Sequence, residues 1–129
     1  MTKNIRKILY IEDNPANLRL VEQIIGCIPN AEIFGAPEAL LGIELAEQHK
    51  PDLILLDINL PKMDGYEALI KLKKIKELSG VPVIAISANA MSSDIKKGLD
   101  AGFVAYITKP INIEKFIENI NKYLPKHIG

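Results

Sequence analysis

Residues 51–57 read PDLILLD, in which four apolar residues follow Pro51 and Asp52 and the stretch ends on Asp57. The four central positions show none of the alternation of a half-exposed strand, which is typical of a strand covered on both faces. Residues 83–87, VIAIS, form a second run of this kind, and it ends on a hydroxyl. Because such strands occur mainly in parallel sheets with helices on each side, the two runs predict an α/β protein.

Short strands and longer helical stretches alternate along the rest of the chain. Runs rich in β-branched and aromatic residues predict further strands at residues 7–11, 32–34 and 104–107. Asn14 and Asn112 are predicted N-caps of the first and last helix. Apolar residues recur at helical spacing in five amphipathic stretches: Leu18, Val21, Ile25 and Ile28; Leu40, Ile43 and Ala46; Leu69, Leu72 and Ile75; Met91, Ile95 and Leu99; Ile113, Phe116, Ile117, Ile120 and Leu124.

Five strand–helix units in alternation predict one parallel sheet with right-handed crossovers and helices on both faces. A chain of 129 residues has the length of one domain. We therefore expect one domain over residues 1–129, with no output domain. Ligands of such sheets bind beyond the carboxyl ends of the strands.

Composition excludes several functional classes. Lys plus Arg and Asp plus Glu are 16 each, so the net charge of +0 gives no field that favours nucleic acid or anionic lipid. The apolar stretch at residues 8–11 is too short for a signal peptide or a membrane span. Cys27, the single cysteine, cannot form an internal disulfide. We expect a cytoplasmic protein without direct nucleic-acid or membrane partners.

Polar residues follow four of the predicted strands: Glu12 with Asp13, then Asp57, Ser87 and Lys109. Three carboxylates at one edge of a sheet repel each other unless they share a proton or hold a hard cation such as magnesium (Mg²⁺). A carboxylate can also attack phosphorus when a cation and an ammonium neutralise the phosphoryl oxygens. The pattern predicts a site for a divalent cation and a phosphoryl group.

Each of these features has an ordinary explanation when it is taken alone. Residues 12–15 could be only a polar turn and a helix cap, and Ser87 only a strand-end hydroxyl bonded to backbone. Tyr106 inside the last strand is by default half-buried. The bond before Pro110 is predicted trans from the residues alone, since only about 5% of such bonds are cis. The coincidence of all four features at strand ends favours a shared site.

The chain resembles a response-regulator receiver domain of two-component signalling, of the chemotaxis-regulator type, over essentially its whole length. The resemblance depends on four blocks in order: ILYIEDN at residues 8–14, PDLILLDINLPKMDG at 51–65, VIAISANA at 83–90 and GLDAGFVAYITKP at 98–110. It implies a flavodoxin-like, doubly wound, five-stranded parallel sheet of order 2-1-3-4-5 with five helices.

The resemblance also implies roles for individual residues. Asp57 would be the phosphoacceptor, and Mg²⁺ would be held by Asp57, Asp13, Glu12 and the carbonyl of Asn59. Asp13 would touch the ion directly, and Glu12 often through water.

The remaining implied roles concern the response to phosphorylation. Lys109 would pair with the phosphoryl group, and the bond before Pro110 would be cis. Ser87 would move toward the phosphoryl group, and Tyr106 would turn inward behind it.

The same resemblance implies partners. A histidine kinase or a histidine phosphotransfer protein would donate the phosphoryl group. A downstream protein would dock on the fourth helix, fifth strand and fifth helix, within residues 91–123. Such a domain is no enzyme beyond catalysing its own phosphorylation and dephosphorylation.

Alternative functions differ in specific residues. A receiver from a hybrid histidine kinase shares residues 87–91 and 103–110, whereas Met1 and the absence of an effector favour a free-standing regulator. An aspartyl-phosphate phosphatase of the haloacid dehalogenase type has an Asp-x-Asp motif. Residues 57–59 read Asp-Ile-Asn and therefore lack the second acid. A flavodoxin-like flavin carrier would need a phosphate loop without the acids of residues 12–13.

Overall fold

The computed structural model describes residues 5–125. Its strands are β1 (Arg6–Ile11), β2 (Ala31–Ala36), β3 (Leu53–Asp57), β4 (Val83–Ser87) and β5 (Ala105–Thr108). Its α-helices are α1 (Pro15–Ile25), α2 (Ala39–His49), α3 (Gly65–Lys74), α4 (Ser92–Ala101) and α5 (Ile113–Tyr123), and a 3₁₀ turn follows α3 at Lys76–Leu78. All strands pair in parallel, in the order β2-β1-β3-β4-β5, which confirms the predicted fold.

The sheet divides the core into two layers, because successive side chains of a strand point to opposite faces. Every residue of β3 and β4 is buried, as their unbroken apolar runs predict. Leu53 and Leu55 pack in the layer that contains apolar residues of α1 and α5. Ile54 and Leu56 pack in the layer that contains apolar residues of α2 and α3. Strands β3 and β4 are therefore covered on both faces, and β3 is the central strand of the sheet.

Side-chain caps fix where several helices begin. The Asn14 carboxamide oxygen accepts the N–H groups of Ala16 and Asn17, and Pro15 takes the first helical position. Asp64 caps α3 and Asn112 caps α5 in the same way. The Asn14 cap matters most for function, since it starts α1 directly after the acidic pair.

Helix α4 buries little of the apolar stretch that marks it in the sequence. Met91 is 71% exposed and Leu99 is 45% exposed, and the buried residue of α4 is Gly98. A Cβ on Gly98 would lie 2.7 Å from a ring carbon of Tyr106, so the glycine lets the helix rest on that ring. Met91 and Leu99 consequently face outward, whereas Ile95 between them is half-buried.

The first two helices form where predicted but differ from the predicted apolar stripes in one residue each. Leu40 on α2 is 58% exposed, and the neighbouring Ala39, Gly42, Ile43 and Ala46 form the buried face. Helix α1 ends at Ile25, so Ile28 lies beyond it. Within residues 5–125, no helix is long and apolar enough to cross a membrane.

Candidate functional site

The polar residues predicted at the strand ends meet at one edge of the sheet. The Lys109 ammonium lies 2.9 Å from Glu12 Oε1 and 3.0 Å from Asp57 Oδ2. Glu12 is 1% exposed and Asp57 is 2% exposed, so this is a buried cluster of two carboxylates and one ammonium. Removing the Lys109 ammonium would leave the two buried carboxylates without a compensating charge.

A third carboxylate completes an acidic cluster. Carboxylate oxygens of Glu12, Asp13 and Asp57 all lie within 4.8 Å of one another. Asp13 is exposed, so the cluster opens to solvent on its side. Three hard oxygen donors around one point, with a single ammonium to offset them, suit a divalent cation such as Mg²⁺. The residues present therefore fit the predicted metal.

Glu12 is held by residues that the sequence analysis did not identify. Its Oε1 accepts the Tyr10 hydroxyl at 2.7 Å and the Asn17 carboxamide at 3.2 Å, in addition to Lys109. Its Oε2 accepts the N–H of Asn14 at 3.3 Å. A signal for Tyr10 was present, since residues two apart in a strand share a face. Glu12 is thus fixed in position before any ion binds.

The two buried carboxyls have opposite pKa shifts. Burial raises the pKa of Asp57 to about 6, and a hydrogen bond with Glu12 adds to the rise, against the opposing effect of Asn59 N–H and Lys109. Burial also acts to raise the pKa of Glu12, but hydrogen bonds with Asp57, Lys109 and Tyr10 outweigh it and hold that pKa well below its usual range. Without a cation, the pair therefore takes up a proton only as the pH falls toward about 6, and that proton resides on Asp57.

The pKa of Lys109 is shifted by the same two carboxylates. Burial alone would lower the pKa of Lys109, but its contacts with Glu12 and Asp57 raise it above the ordinary value. Lys109 is therefore a fixed positive charge at the mouth of the site. Its backbone N–H donates to the Ser87 carbonyl at 2.8 Å, and the following peptide bond to Pro110 is cis, as the resemblance implies.

Ser87 lies at the end of β4 and is fully buried. Its hydroxyl oxygen accepts the backbone N–H of Asn89 at 3.0 Å and the side-chain amide of Asn59 at 3.3 Å. The backbone N–H of Asn59 in turn donates to Asp57 Oδ1 at 2.9 Å. Asn59 therefore contacts both the predicted phosphoacceptor and the predicted switch hydroxyl.

Tyr106 is linked to Ser87 through the backbone of Asn89. The Tyr106 hydroxyl donates to the Asn89 carbonyl at 2.7 Å, and no hydrogen bond joins it directly to Ser87 within the described residues 5–125. The ring is half-buried against Gly98. A movement of the segment after β4 would therefore change the surroundings of both hydroxyls.

Gly65 brings the start of α3 close to Asp57. A Cβ at this position would lie 2.6 Å from the Ile58 Cα and 2.9 Å from the Asp57 carbonyl oxygen, and both are backbone atoms that cannot move aside cheaply. The Gly65 N–H also donates to the Ile58 carbonyl at 2.8 Å. The segment that carries Asn59 is thereby held beside Asp57.

An open parallel sheet with an acidic cluster, a buried aspartate, a hydroxyl and a lysine at its carboxyl edge is the arrangement of a receiver domain of two-component signalling. Residues 8–121 match the model of the response regulator receiver domain. The chain belongs to this family, whose members are generally signalling proteins and not enzymes. This membership replaces the phosphatase and flavin-carrier alternatives.

Relatives support the same assignment. The polar-differentiation response regulator DivK of Brucella ovis is 40% identical over 124 residues, which cover 96% of this chain and 98% of DivK. The receiver domain of a sensor histidine kinase from Pseudomonas aeruginosa, solved with magnesium in its active-site cleft, is 28% identical with a TM-score of 0.83, covering 92% of this chain and 97% of that one. The Mn²⁺-bound response regulator Rcp1 is 28% identical with a TM-score of 0.77, covering 94% and 99%.

Proposed function

We propose that this protein is a phosphoacceptor response regulator of a two-component phosphorelay, in which Asp57 accepts a phosphoryl group from a phosphohistidine. The observation that carries the proposal is the position of Asp57. It is buried at the end of β3, 3.0 Å from the Lys109 ammonium and beside Glu12 and Asp13. A carboxylate so placed can act as a nucleophile toward phosphorus while its neighbours neutralise the phosphoryl oxygens.

The transfer forms a bond between a carboxylate oxygen of Asp57 and phosphorus as the P–N bond of the donor breaks. The electron pair of that bond stays on the imidazole nitrogen. Lys109 offsets charge on the phosphoryl oxygens. Glu12, Asp13, Asp57 and the Asn59 carbonyl would hold Mg²⁺, which when bound supplies further positive charge beside those oxygens. The protein would catalyse only this transfer and the later hydrolysis.

Phosphorylation then acts as a switch through Ser87. Its hydroxyl can donate to a phosphoryl oxygen, and movement of the segment after β4 would carry the change to Tyr106 through Asn89. A swing from mostly inactive to mostly active requires about 5 kcal/mol of differential interaction. Charge-assisted hydrogen bonds from Ser87 and Lys109 can supply much of this.

The downstream partner docks on α4, β5 and α5 in this proposal. Exposed Met91 and Leu99 provide an apolar stripe on α4. A groove of about 250 Å³ is lined by Ile95 of α4, Tyr106 of β5 and Lys115 of α5, among others. The support is that Tyr106, which contacts the segment after β4, is one of the residues that line this groove.

We further propose that the receiver domain is the signalling unit and works in the cytoplasm through protein contacts alone, without nucleic acid or membrane. The DivK relatives, which are matched over 96–98% of their own length, support a free-standing regulator over a hybrid-kinase module. A histidine kinase or a histidine phosphotransfer protein is the donor.

The proposed function is tested by intact mass after incubation with acetyl phosphate and Mg²⁺. We expect one phosphoryl adduct in the wild type and none in Asp57→Asn or after chelation of the metal. Phosphorylation of Asp57→Asn at the wild-type rate would refute the assignment of the phosphoacceptor.

A further inference from the structure

The hydroxyl of Ser87 is held by two donors of different origin. One is the backbone N–H of Asn89, which lies two residues further on in the same segment and moves with it. The other is the side-chain amide of Asn59, which comes from the segment after β3 and lies 28 residues away in the chain. The amide of Asn59 is therefore the contact that ties the Ser87 hydroxyl to a different part of the domain.

These two bonds use the full acceptor capacity of the hydroxyl. A serine oxygen has two lone pairs and one proton, and both lone pairs of Ser87 are engaged. The remaining capacity is a donor, which is what a phosphoryl oxygen requires. Ser87 is thus ready to donate, and the 3.3 Å bond from the Asn59 amide is lost when the hydroxyl leaves its present position.

We propose that Asn59 is a positioning residue that restrains Ser87 in its unphosphorylated position, and so helps to set the balance between the inactive and active forms. This inference rests on the proposed function. Asn59 is exposed, so water can solvate its amide when Ser87 leaves, whereas Ser87 is fully buried. Loss of the Asn59 amide therefore weakens the inactive arrangement more than the active one.

The size of the effect follows from the bond that is lost. A neutral hydrogen bond contributes enough net free energy for a change of about two- to tenfold in an equilibrium constant. We therefore expect Asn59→Ala to bind beryllofluoride, a stable mimic of the phosphoryl group, about two- to tenfold more tightly than the wild type in the presence of Mg²⁺. The alanine variant keeps the backbone carbonyl at residue 59.

The test is a double-mutant cycle read by NMR. Wild type, Asn59→Ala, Ser87→Ala and the double variant are titrated with beryllofluoride, and the Asn89 amide and Tyr106 ring resonances are followed. We expect Asn59→Ala to raise the affinity in the Ser87 background and to have no effect in the Ser87→Ala background. In the unliganded protein, Asn59→Ala should move the Asn89 amide resonance toward its bound position. Asn121→Ala, at an exposed position of α5, is the matched control and should change neither quantity.

The outcomes separate the inference from the proposed function. Unchanged or weaker binding by Asn59→Ala, or an equal gain in the Ser87→Ala background, would overturn the role of Asn59 while leaving Asp57 as the phosphoacceptor. Failure of the wild type to bind beryllofluoride in the presence of Mg²⁺ would instead count against the proposed function.

Discussion

The Lys109 ammonium lies 3.0 Å from Asp57 Oδ2, although 52 residues separate the two in the chain. Both groups are delivered by the carboxyl ends of parallel strands, and the contact needs no insertion or added loop. Because Asp57 is 2% exposed, Lys109 offsets a charge that water cannot reach well.

Lys109→Ala should slow phosphorylation of Asp57. Hydrogen bonds to charged groups contribute roughly 1.5–3 kcal/mol, so the rate with acetyl phosphate should fall by about 10- to 100-fold. Lys71→Ala, on the exposed side of α3, is the control and should keep the wild-type rate. An unchanged rate in Lys109→Ala would exclude a role for the ammonium in the transfer.

Ser87→Ala should separate phosphorylation from switching. The variant keeps Asp57, Lys109 and the acidic pair, so intact mass should show a normal phosphoryl adduct. The hydroxyl that would bind the phosphoryl oxygen is absent, and the Tyr106 ring resonances should therefore move much less on phosphorylation than in the wild type. A full shift of those resonances would show that the signal bypasses Ser87.

The metal-free protein should become more stable as the pH falls from 7.5 to 5.5. The pKa of Asp57 is raised from 3.8 to about 6, so the folded protein takes up a proton there that the unfolded chain does not. The stabilisation is present below the lower pKa and lost as pH rises through the higher one, by roughly 2–3 kcal/mol in all. Below about pH 4.5 the lowered pKa of Glu12 reverses the trend.

Chemical denaturation in the presence of a chelator measures this dependence. Asp57→Asn cannot take up the proton, so its stability should lack the gain between pH 7.5 and 5.5. The same proton competes with a cation, and wild-type affinity for Mg²⁺ should therefore fall over that range. A wild-type stability that is flat across it would contradict the raised pKa of Asp57.

Tyr10→Phe should weaken the support of Glu12. The variant removes a 2.7 Å hydrogen bond to a buried carboxylate, which should lower the free energy of unfolding at pH 7 by roughly 1.5–3 kcal/mol. Tyr123→Phe removes a 3.1 Å bond to the neutral Val104 carbonyl and should cost only about 0.5–1.5 kcal/mol. Denaturant melts of both variants compare the two, and an equal cost would show that the charge of Glu12 does not strengthen its bond.

Gly98→Ala should displace the ring of Tyr106 without touching the site. The added Cβ would lie 2.7 Å from that ring, and overpacking of this kind costs roughly 1–3 kcal/mol. We expect normal phosphorylation but altered Tyr106 resonances before any phosphoryl group is added. Gly80→Ala is the matched control, because nothing lies within 4 Å of the added atom. Unchanged Tyr106 resonances in Gly98→Ala would mean that α4 yields instead of the ring.

Local features of the sequence predicted much of the fold. The unbroken apolar runs of β3 and β4 identify buried parallel strands, since few other structures hide both faces of a strand. Asn14 and Asn112 are caps because their side chains bond to backbone only two or three residues away. The convergence of Asp57 and Lys109 follows from the shared direction of parallel strands.

Other features depend on contacts between distant segments, which periodicity does not record. The exposure of Met91 and Leu99 follows from the fit of Gly98 against Tyr106, a contact between α4 and β5 across eight positions. The bonds of Asn59 to Ser87 and of Tyr10 to Glu12 depend on the exact geometry of the site. The cis bond before Pro110 was predicted wrongly from the residues alone, because the base rate favours trans, and rightly from the resemblance.

The turn around Gly80 divides the site between two halves of the chain. The part before it carries Glu12, Asp13 and Asp57, and the part after it carries Ser87 and Lys109. A protein cut at this open turn would yield one fragment with the three carboxylates of the site. The other fragment would carry the Lys109 ammonium and the Ser87 hydroxyl. Phosphorylation would then require the fragments to reassemble, which would make this domain a chemical reporter of association between any two proteins fused to them.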